Sequence, residues 1–176
     1  MKRHDQDLAA ERYVPSSSER VRDQVALYEA TGGREGGTLE GRPVVILTMT
    51  GASSGNIRKT PIMRIEHDGT YLAVASAGGA PSHPAWYHNL IAHPDVRLQD
   101  GAQVHSLRAR QVFGHEKAVA WKLAESRWPY FSDYRAKAGR EIPILLLEPT
   151  STALDGSTGV AIQQGAAAGG SPMPGR

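Results

Sequence analysis

Between residues 43 and 76 the chain passes through three β-type runs whose connections are too short to hold a helix. PVVILTMT is continuous and β-branched, PIMRIE alternates, and YLAVAS is apolar again. Parallel neighbours need a crossover of a dozen or more residues, so these runs must lie antiparallel. His67-Asp68-Gly69 supplies the tight turn between the second run and the third. The simplest reading is a meander in which each run pairs with the next.

The rest of the chain extends the same pattern. Residues 95–99 and 103–113 form a hairpin around Asp100-Gly101, and residues 142–147 are a last buried strand. Four helical stretches punctuate them. Ser16 and Glu19 have the spacing of a capping box, Val21, Val25 and Tyr28 share a face, and Gly32-Gly33 stops the first helix. Pro84 suits the first turn of a second, ended by Pro94. Residues 115–126 carry Ala118, Trp121, Leu123 and Ala124 as the apolar surface of a third, and WPYFSDYRAKAG is partly helical. Residues 1–15 are polar and expected to be mobile. From Thr150 onward Gly, Ala, Ser and Pro dominate, and disorder is expected. The division is an arm and helix (1–37), a core domain (38–149) and a tail (150–176). Mostly antiparallel strands with helices outside make a mainly β, α+β fold, and closure into a barrel leaves no open edge.

A chain of 176 residues without a single cysteine can bury one core, and it excludes disulfides, thiolate metal sites and a Cys nucleophile. Twenty basic against eighteen acidic residues are too balanced for nucleic-acid binding by charge. The opening MKRHDQDLAAER has no apolar segment, and the longest apolar runs, 44–47 and 144–147, are far short of a membrane span. A cytoplasmic protein is expected. Its first fifteen residues have too little apolar material to support a peripheral membrane contact.

The stretch TMTGASSGNIRKTP at residues 48–61 admits three readings. GASSG matches a nucleophile elbow on Ser53, but an elbow leads into a helix, and here a strand follows. A Walker loop needs Gly directly before Lys, where Arg58 stands. What remains is a hairpin turn, either bare or an anion site. Ser53, Ser54, Gly55 and Asn56 with the cations Arg58 and Lys59 suit a phosphate or carboxylate. A second cluster favours a ligand: Ser76-Ala77-Gly78-Gly79 leads to a helix N-terminus at Pro84, followed by Ala85, Trp86, Tyr87 and Asn89. Together they describe a groove with anion donors at one end and aromatic walls.

In order and spacing these motifs resemble one family. Gly51, Ser54, Gly55, Arg58 and Pro61 come first. Asp68, Gly69, Tyr71, Val74, Ala75, Ser76, Gly78 and Gly79 follow, then Pro84, Trp86, Tyr87, Asn89, Leu90, Ala92 and Pro94. Over about residues 38–149 the chain is similar to the deazaflavin-dependent nitroreductase family of actinobacteria, a likeness continuing through Trp128-Pro129, Asp133-Tyr134 and IPILLLEP. The resemblance implies a split β-barrel of the FMN-binding-like type, with coenzyme F420, an 8-hydroxy-5-deazaflavin bearing an anionic oligoglutamate tail, as hydride donor. FMN is the alternative cofactor, and a non-catalytic deazaflavin or flavin carrier the alternative function. It implies that Ser53, Ser54, Gly55, Asn56, Arg58, Lys59, Thr60 and Pro61 hold the tail. Met63, Ala75, Ser76, Ala77, Gly78, Gly79, Pro84, Ala85, Trp86, Tyr87 and Asn89 would complete the cofactor site. Members usually carry Lys or Arg where this chain has Ala52 and Ser53, and many have Lys at Ala77 or Ser82.

The resemblance further implies hydride transfer from C5 of the reduced deazaflavin to a small-molecule acceptor: an unsaturated ketone or lactone, a quinone or a nitroaromatic. Tyr134 and Ser76 are the candidates to supply a proton or polarise the acceptor oxygen. Trp128 and Phe131, with Tyr134, would line the substrate pocket. His83, His88 and His93 are each five apart and share no helical face, so no metal is assigned. Either a monomer or a homodimer is compatible with the sequence.

Overall fold

A computed structural model describes residues 12–150; the expectations for residues 1–11 and 151–176 lie outside the described residues. Helix α1 spans Glu19–Thr31. It is followed by β1 (Thr38–Leu39), β2 (Arg42–Thr50), β3 (Ile57–Met63), β4 (Glu66–His67) and β5 (Thr70–Val74). A 3-10 turn at Ala77–Gly79 precedes α2 (Ala85–Ala92), β6 (Asp95–Asp100) and β7 (Gln103–Val112). The chain continues through α3 (Gly114–Arg127), α4 (Tyr130–Ala138) and β8 (Ile144–Pro149).

The named strands pair antiparallel in the order β1-β2-β6-β7-β8-β5-β4, with β3 also on β2. The expected meander is corrected here. β2 does pair with β3, but β5 touches β4 only briefly and takes β8 as its main partner. The reason is a bend. The chain pairs with β2 up to Met63, turns through Arg64-Ile65, and pairs with β5 from Glu66. Hydrogen bonds continue through it: Arg64 N–H donates to the Pro43 carbonyl at 3.0 Å, and Leu72 N–H to the Ile65 carbonyl at 2.9 Å. One bent segment therefore joins both ends of the sheet and curls it into a split barrel. β3 also starts four residues before the expected strand. Pro61 sits within it opposite Ile46, tolerated because β3 has a ladder neighbour on one side only there.

At the N-terminus, Arg12 to Val14 are not a free arm. Val14 N–H donates to the Ile57 carbonyl at 3.0 Å, and Ile57 N–H to the Arg12 carbonyl at 2.9 Å. Helix α1 begins at Glu19 rather than just after Ser16. The Ser18 hydroxyl caps it by accepting from Val21 N–H at 3.4 Å, while Ser16 Oγ accepts from Ser18 N–H at 3.1 Å.

The two continuous apolar runs are strands buried on both faces. Val45, Leu47 and Met49 point into the barrel with Leu98, Leu107, Leu145 and Leu147. Val44 and Ile46 point outward to Val25 and Tyr28 of α1. On β8, Ile144 faces Trp121, Ala124 and Phe131 beneath α3 and α4. The ladder pairings make β2 and β5 run the same way, so Thr50 and Val74 end at one rim. At the opposite rim Asp100 is a hub. Arg64 Nε donates to its two oxygens at 3.0 and 2.9 Å, and the Tyr71 hydroxyl donates to one at 2.7 Å.

Candidate active site

The rim at Thr50 and Val74 gathers both loop clusters. The turn after β2 is tight: Gly55 N–H donates to the Gly51 carbonyl at 3.0 Å, and Gly51 N–H to the Asn56 carbonyl at 2.8 Å. A Cβ at Gly51 would lie 2.7 Å from Ser54 Oγ and 3.3 Å from the Asn56 carbonyl oxygen, so a larger residue there would displace the Ser54 side chain and crowd the turn. Ala52 N–H donates to Asn89 Oδ1 at 2.9 Å, tying the turn to α2. The backbone N–H groups of Ser53 and Ser54 make no hydrogen bond among the described residues.

The two cations of this stretch part company. Successive side chains of a strand point to opposite faces. Ile62 packs in the barrel interior, and Thr60 and Arg58 share its parity. Arg58 Cγ lies 3.8 Å from a Cβ built on Gly51, at the rim, and Arg58 has no ion pair or hydrogen-bond partner among the described residues. Lys59 faces α1 instead. It pairs with Glu29 at 2.7 Å and lies over the Tyr13 ring at 4.8 Å. Lys59 also borders an outward-facing groove of about 1270 Å³ between β2, β6 and β7. Three of its four basic groups, Lys59, Arg108 and Arg110, are already paired with Glu29, Asp95, Glu116 and Glu148, and the fourth, the exposed Arg97, has no ion pair among the described residues.

After β5 the backbone turns left-handed at three consecutive residues: Ala77 at φ 47°, Gly78 at φ 63° and Gly79 at φ 82°. A Cβ on Gly78 would meet no atom within 4 Å, so the space over this turn is open. Gly79 is the reverse: a Cβ there would lie 3.2 Å from Tyr134 Cα and 3.1 Å from Lys137 Cδ. Glycine lets α4 sit directly on the loop. Ala77 has no such freedom, and strain of this kind collects at functional sites. Ala77→Gly should therefore raise stability by about 0.5–1 kcal/mol, read as a higher denaturant midpoint at unchanged slope. Ser76 is 7% exposed. Its hydroxyl has no partner among the described residues, where no fully buried side-chain oxygen is left unsatisfied, so that hydroxyl keeps contact with solvent.

Of the aromatic residues expected to share a substrate pocket, Tyr134 is half-buried on α4 against the Gly79 turn. Phe131 is buried in the core beneath it, ring centroids 6.2 Å apart. Trp128, also buried, lies toward the opposite rim under the Arg42 guanidinium at 5.5 Å. With Met63, Arg64 and Arg127 it borders a small cavity of about 190 Å³. In place of one aromatic pocket, α4 and the α3–α4 connection that carries Trp128 spread these side chains apart. Met63, at the far end of β3, goes with Trp128. On α2, Trp86 and Tyr87 pack against the barrel core, and the Tyr87 hydroxyl donates to Gln111 Oε1 at 2.9 Å.

One residue that sequence reasoning missed organises the whole loop. The Arg140 guanidinium donates to the carbonyls of Ala80 (3.0 Å), Ala75, Ser76 and Ser82 (each 3.1 Å). It also lies 2.7 Å from His83 Nδ1. These partners are 57 to 65 residues away in the chain, so no local pattern announces them.

The rim fits a flat cofactor with an anionic tail: an open, glycine-lined backbone surface beside Ser76, and N–H groups at Ser53 and Ser54 and an Arg58 guanidinium that have no partner among the described residues. The fold is a split β-barrel with both loop clusters at one rim. The profile of the F420H(2)-dependent quinone reductase family matches residues 20–149, and the chain belongs to that family. An F420H(2)-dependent quinone reductase of Mycobacterium tuberculosis is 35% identical over 141 residues, 78% of this chain and 93% of the relative. A solved F420-H2 dependent reductase, FDR-A, is 45% identical with TM-score 0.58, covering 61% of this chain and 95% of its own. Another solved chain, described as a domain-swapped dimer, is 40% identical with TM-score 0.59, covering 72% and 92%.

Proposed function

We propose that the loop rim binds reduced coenzyme F420 and that the chain is a reductase of quinone-type acceptors. When bound, the reduced deazaflavin supplies a hydride from C5. The protein's part is to bind, align and exclude water. Arg58 and the free N–H groups of Ser53 and Ser54 hold the anionic tail; their donors are charge-assisted or backbone donors left over by the fold. Asn89 fixes the turn that presents them. Gly78 gives the ring close approach to the backbone, with Ala75, Ser76, Ala77, Gly79, Pro84, Ala85 and Trp86 around it. The hydroxyls of Ser76 and Tyr134 donate to the acceptor oxygen and stabilise the charge that develops there.

The observation that carries this reading is the division of the two cations by the pleat of β3. The Arg58 guanidinium has no partner among the described residues, whereas Lys59 is held by Glu29. Loss of a hydrogen bond to a charged group costs about 1.5–3 kcal/mol, so Arg58→Ala should weaken F420 binding by roughly ten- to a hundredfold, more for longer tails. Lys59→Ala should leave affinity unchanged and lower stability by at most about 1 kcal/mol, since its ion pair is part-exposed. Equal effects of the two substitutions on affinity would contradict the assignment. Tyr134→Phe should slow turnover about tenfold or more without changing cofactor affinity, and unchanged turnover would remove Tyr134 from the role. For the assembly, the domain-swapped relative supports a homodimer, which sedentation of the purified chain by ultracentrifugation decides.

A further inference from the structure

We infer that Arg140 is the positioning residue of the cofactor loop, and that His83 makes this positioning sensitive to acid. The inference rests on the reading of the rim as the F420 site. The segment 75–83 has few internal bonds: Gly79 N–H donates to Ser76 at 2.9 Å and Ala80 N–H to Ala77 at 3.1 Å. Its shape is imposed from outside. One planar guanidinium on the connection between α4 and β8 reaches carbonyls on both sides of the left-handed turn: Ala75 and Ser76 before it, Ala80 and Ser82 after it. The fork geometry of arginine allows this; a lysine ammonium is a point donor and cannot span the same set. Ser76, whose hydroxyl keeps contact with solvent, is thus held in place by Arg140 through its own carbonyl.

His83 completes the clamp by accepting at Nδ1, 2.7 Å from Arg140 Nη1, which requires the neutral imidazole. Its neighbours add no counter-charge. Tyr87 and His88 of α2 are the ring contacts, at 4.8 and 6.1 Å, and among the described residues no carboxylate pairs with His83. Burial, then the Arg140 charge and His88, all hold the imidazole below its usual 6.5. At neutral pH it is therefore uncharged. As pH falls below that usual value, protonation sets a cation against the guanidinium and converts the acceptor into a donor, and the loop loosens.

The test uses the full chain, its Arg140→Lys and His83→Asn variants, and reduced F420 as probe. Amide exchange is read in the ligand-free proteins, and Kd by tryptophan quenching between about pH 5 and 8. In Arg140→Lys the Gly79 and Ala80 amides should exchange on the order of tenfold faster while the β5–β8 ladder keeps its protection. Its Kd should rise as the inverse of the fraction of loop still competent, about tenfold if roughly a tenth remains so. In the wild type affinity should drop toward pH 5 more steeply than in His83→Asn, whose amide oxygen accepts from Arg140 without titrating. The ligand's own protonation is common to both proteins and cancels. Unchanged loop exchange and Kd in a folded Arg140→Lys, or identical pH profiles with and without His83, would overturn the inference. Should Arg140→Lys not fold, the His83→Asn comparison still decides it. Should the wild type not bind F420, the cofactor reading falls while loop exchange still tests Arg140.

Discussion

Gly79→Ala should lower stability by about 3 kcal/mol and detach α4 from the loop. Two costs add. The backbone at φ 82° is left-handed, a region that costs a side-chain-bearing residue roughly 1–2 kcal/mol. The new methyl would also stand 3.1–3.2 Å from Lys137 Cδ and from the Tyr134 Cα and carbonyl oxygen. The lysine can swing away; the helix backbone cannot. Relief must come from moving α4, which carries Tyr134 away from Ser76 and the open turn. Melting should fall by roughly 6–12 °C for a domain of this size. Gly78→Ala is the matched control, since φ is 63° but a Cβ there meets nothing within 4 Å. It should cost only about 1 kcal/mol. Equal losses for the two variants would show that the contact with α4 carries no weight.

At the other rim, Asp100→Ala should cost about 3 kcal/mol by leaving Arg64 and the Tyr71 hydroxyl without their shared acceptor. Tyr71 is 4% exposed, so water does not replace the bond. Arg64 is a third exposed, which moderates the loss. Burial alone would push the Asp100 carboxyl up, but hydrogen bonds from Arg64 and Tyr71 and the nearby guanidinium charge outweigh it and hold it below the usual 3.8. A depressed carboxylate contributes stability that is present above its unfolded value and is lost as pH falls through the lower folded one. The stability gap between wild type and Asp100→Ala should therefore be constant at neutral pH and shrink below about pH 4. A gap that grows on acidification would contradict the network. This cluster lies far from the ligand loops, so cofactor affinity should not change.

The strands were legible because their burial is written in runs. Two-sided burial of β2 and β8 appears as unbroken apolar stretches, and Asp68-Gly69 and Asp100-Gly101 mark the hairpins. The bend at Arg64-Ile65 was not legible, since a strand that changes partners keeps the same composition. Neither was the split between Arg58 and Lys59, because strand pairing extends back to Ile57 through residues that look like turn. Adjacent cations read as one charged patch until the pleat assigns them faces. Arg140 was invisible for a different reason: a clamp on carbonyls depends on tertiary proximity alone. Trp128 and Phe131 were read from the sequence as substrate-pocket aromatics. Only packing could reveal that both are buried in the core and that Trp128 lies toward Arg42.

The central claim is that one rim of the barrel binds a reduced deazaflavin and delivers its hydride to an acceptor. It is tested most directly by mixing purified protein with reduced F420 and following reoxidation with and without menadione under anaerobic conditions. The account predicts saturable binding that quenches tryptophan fluorescence, stoichiometric reoxidation only when menadione is present, and weaker binding in Arg58→Ala. No binding of reduced F420, or reoxidation at the same rate without protein, would contradict it.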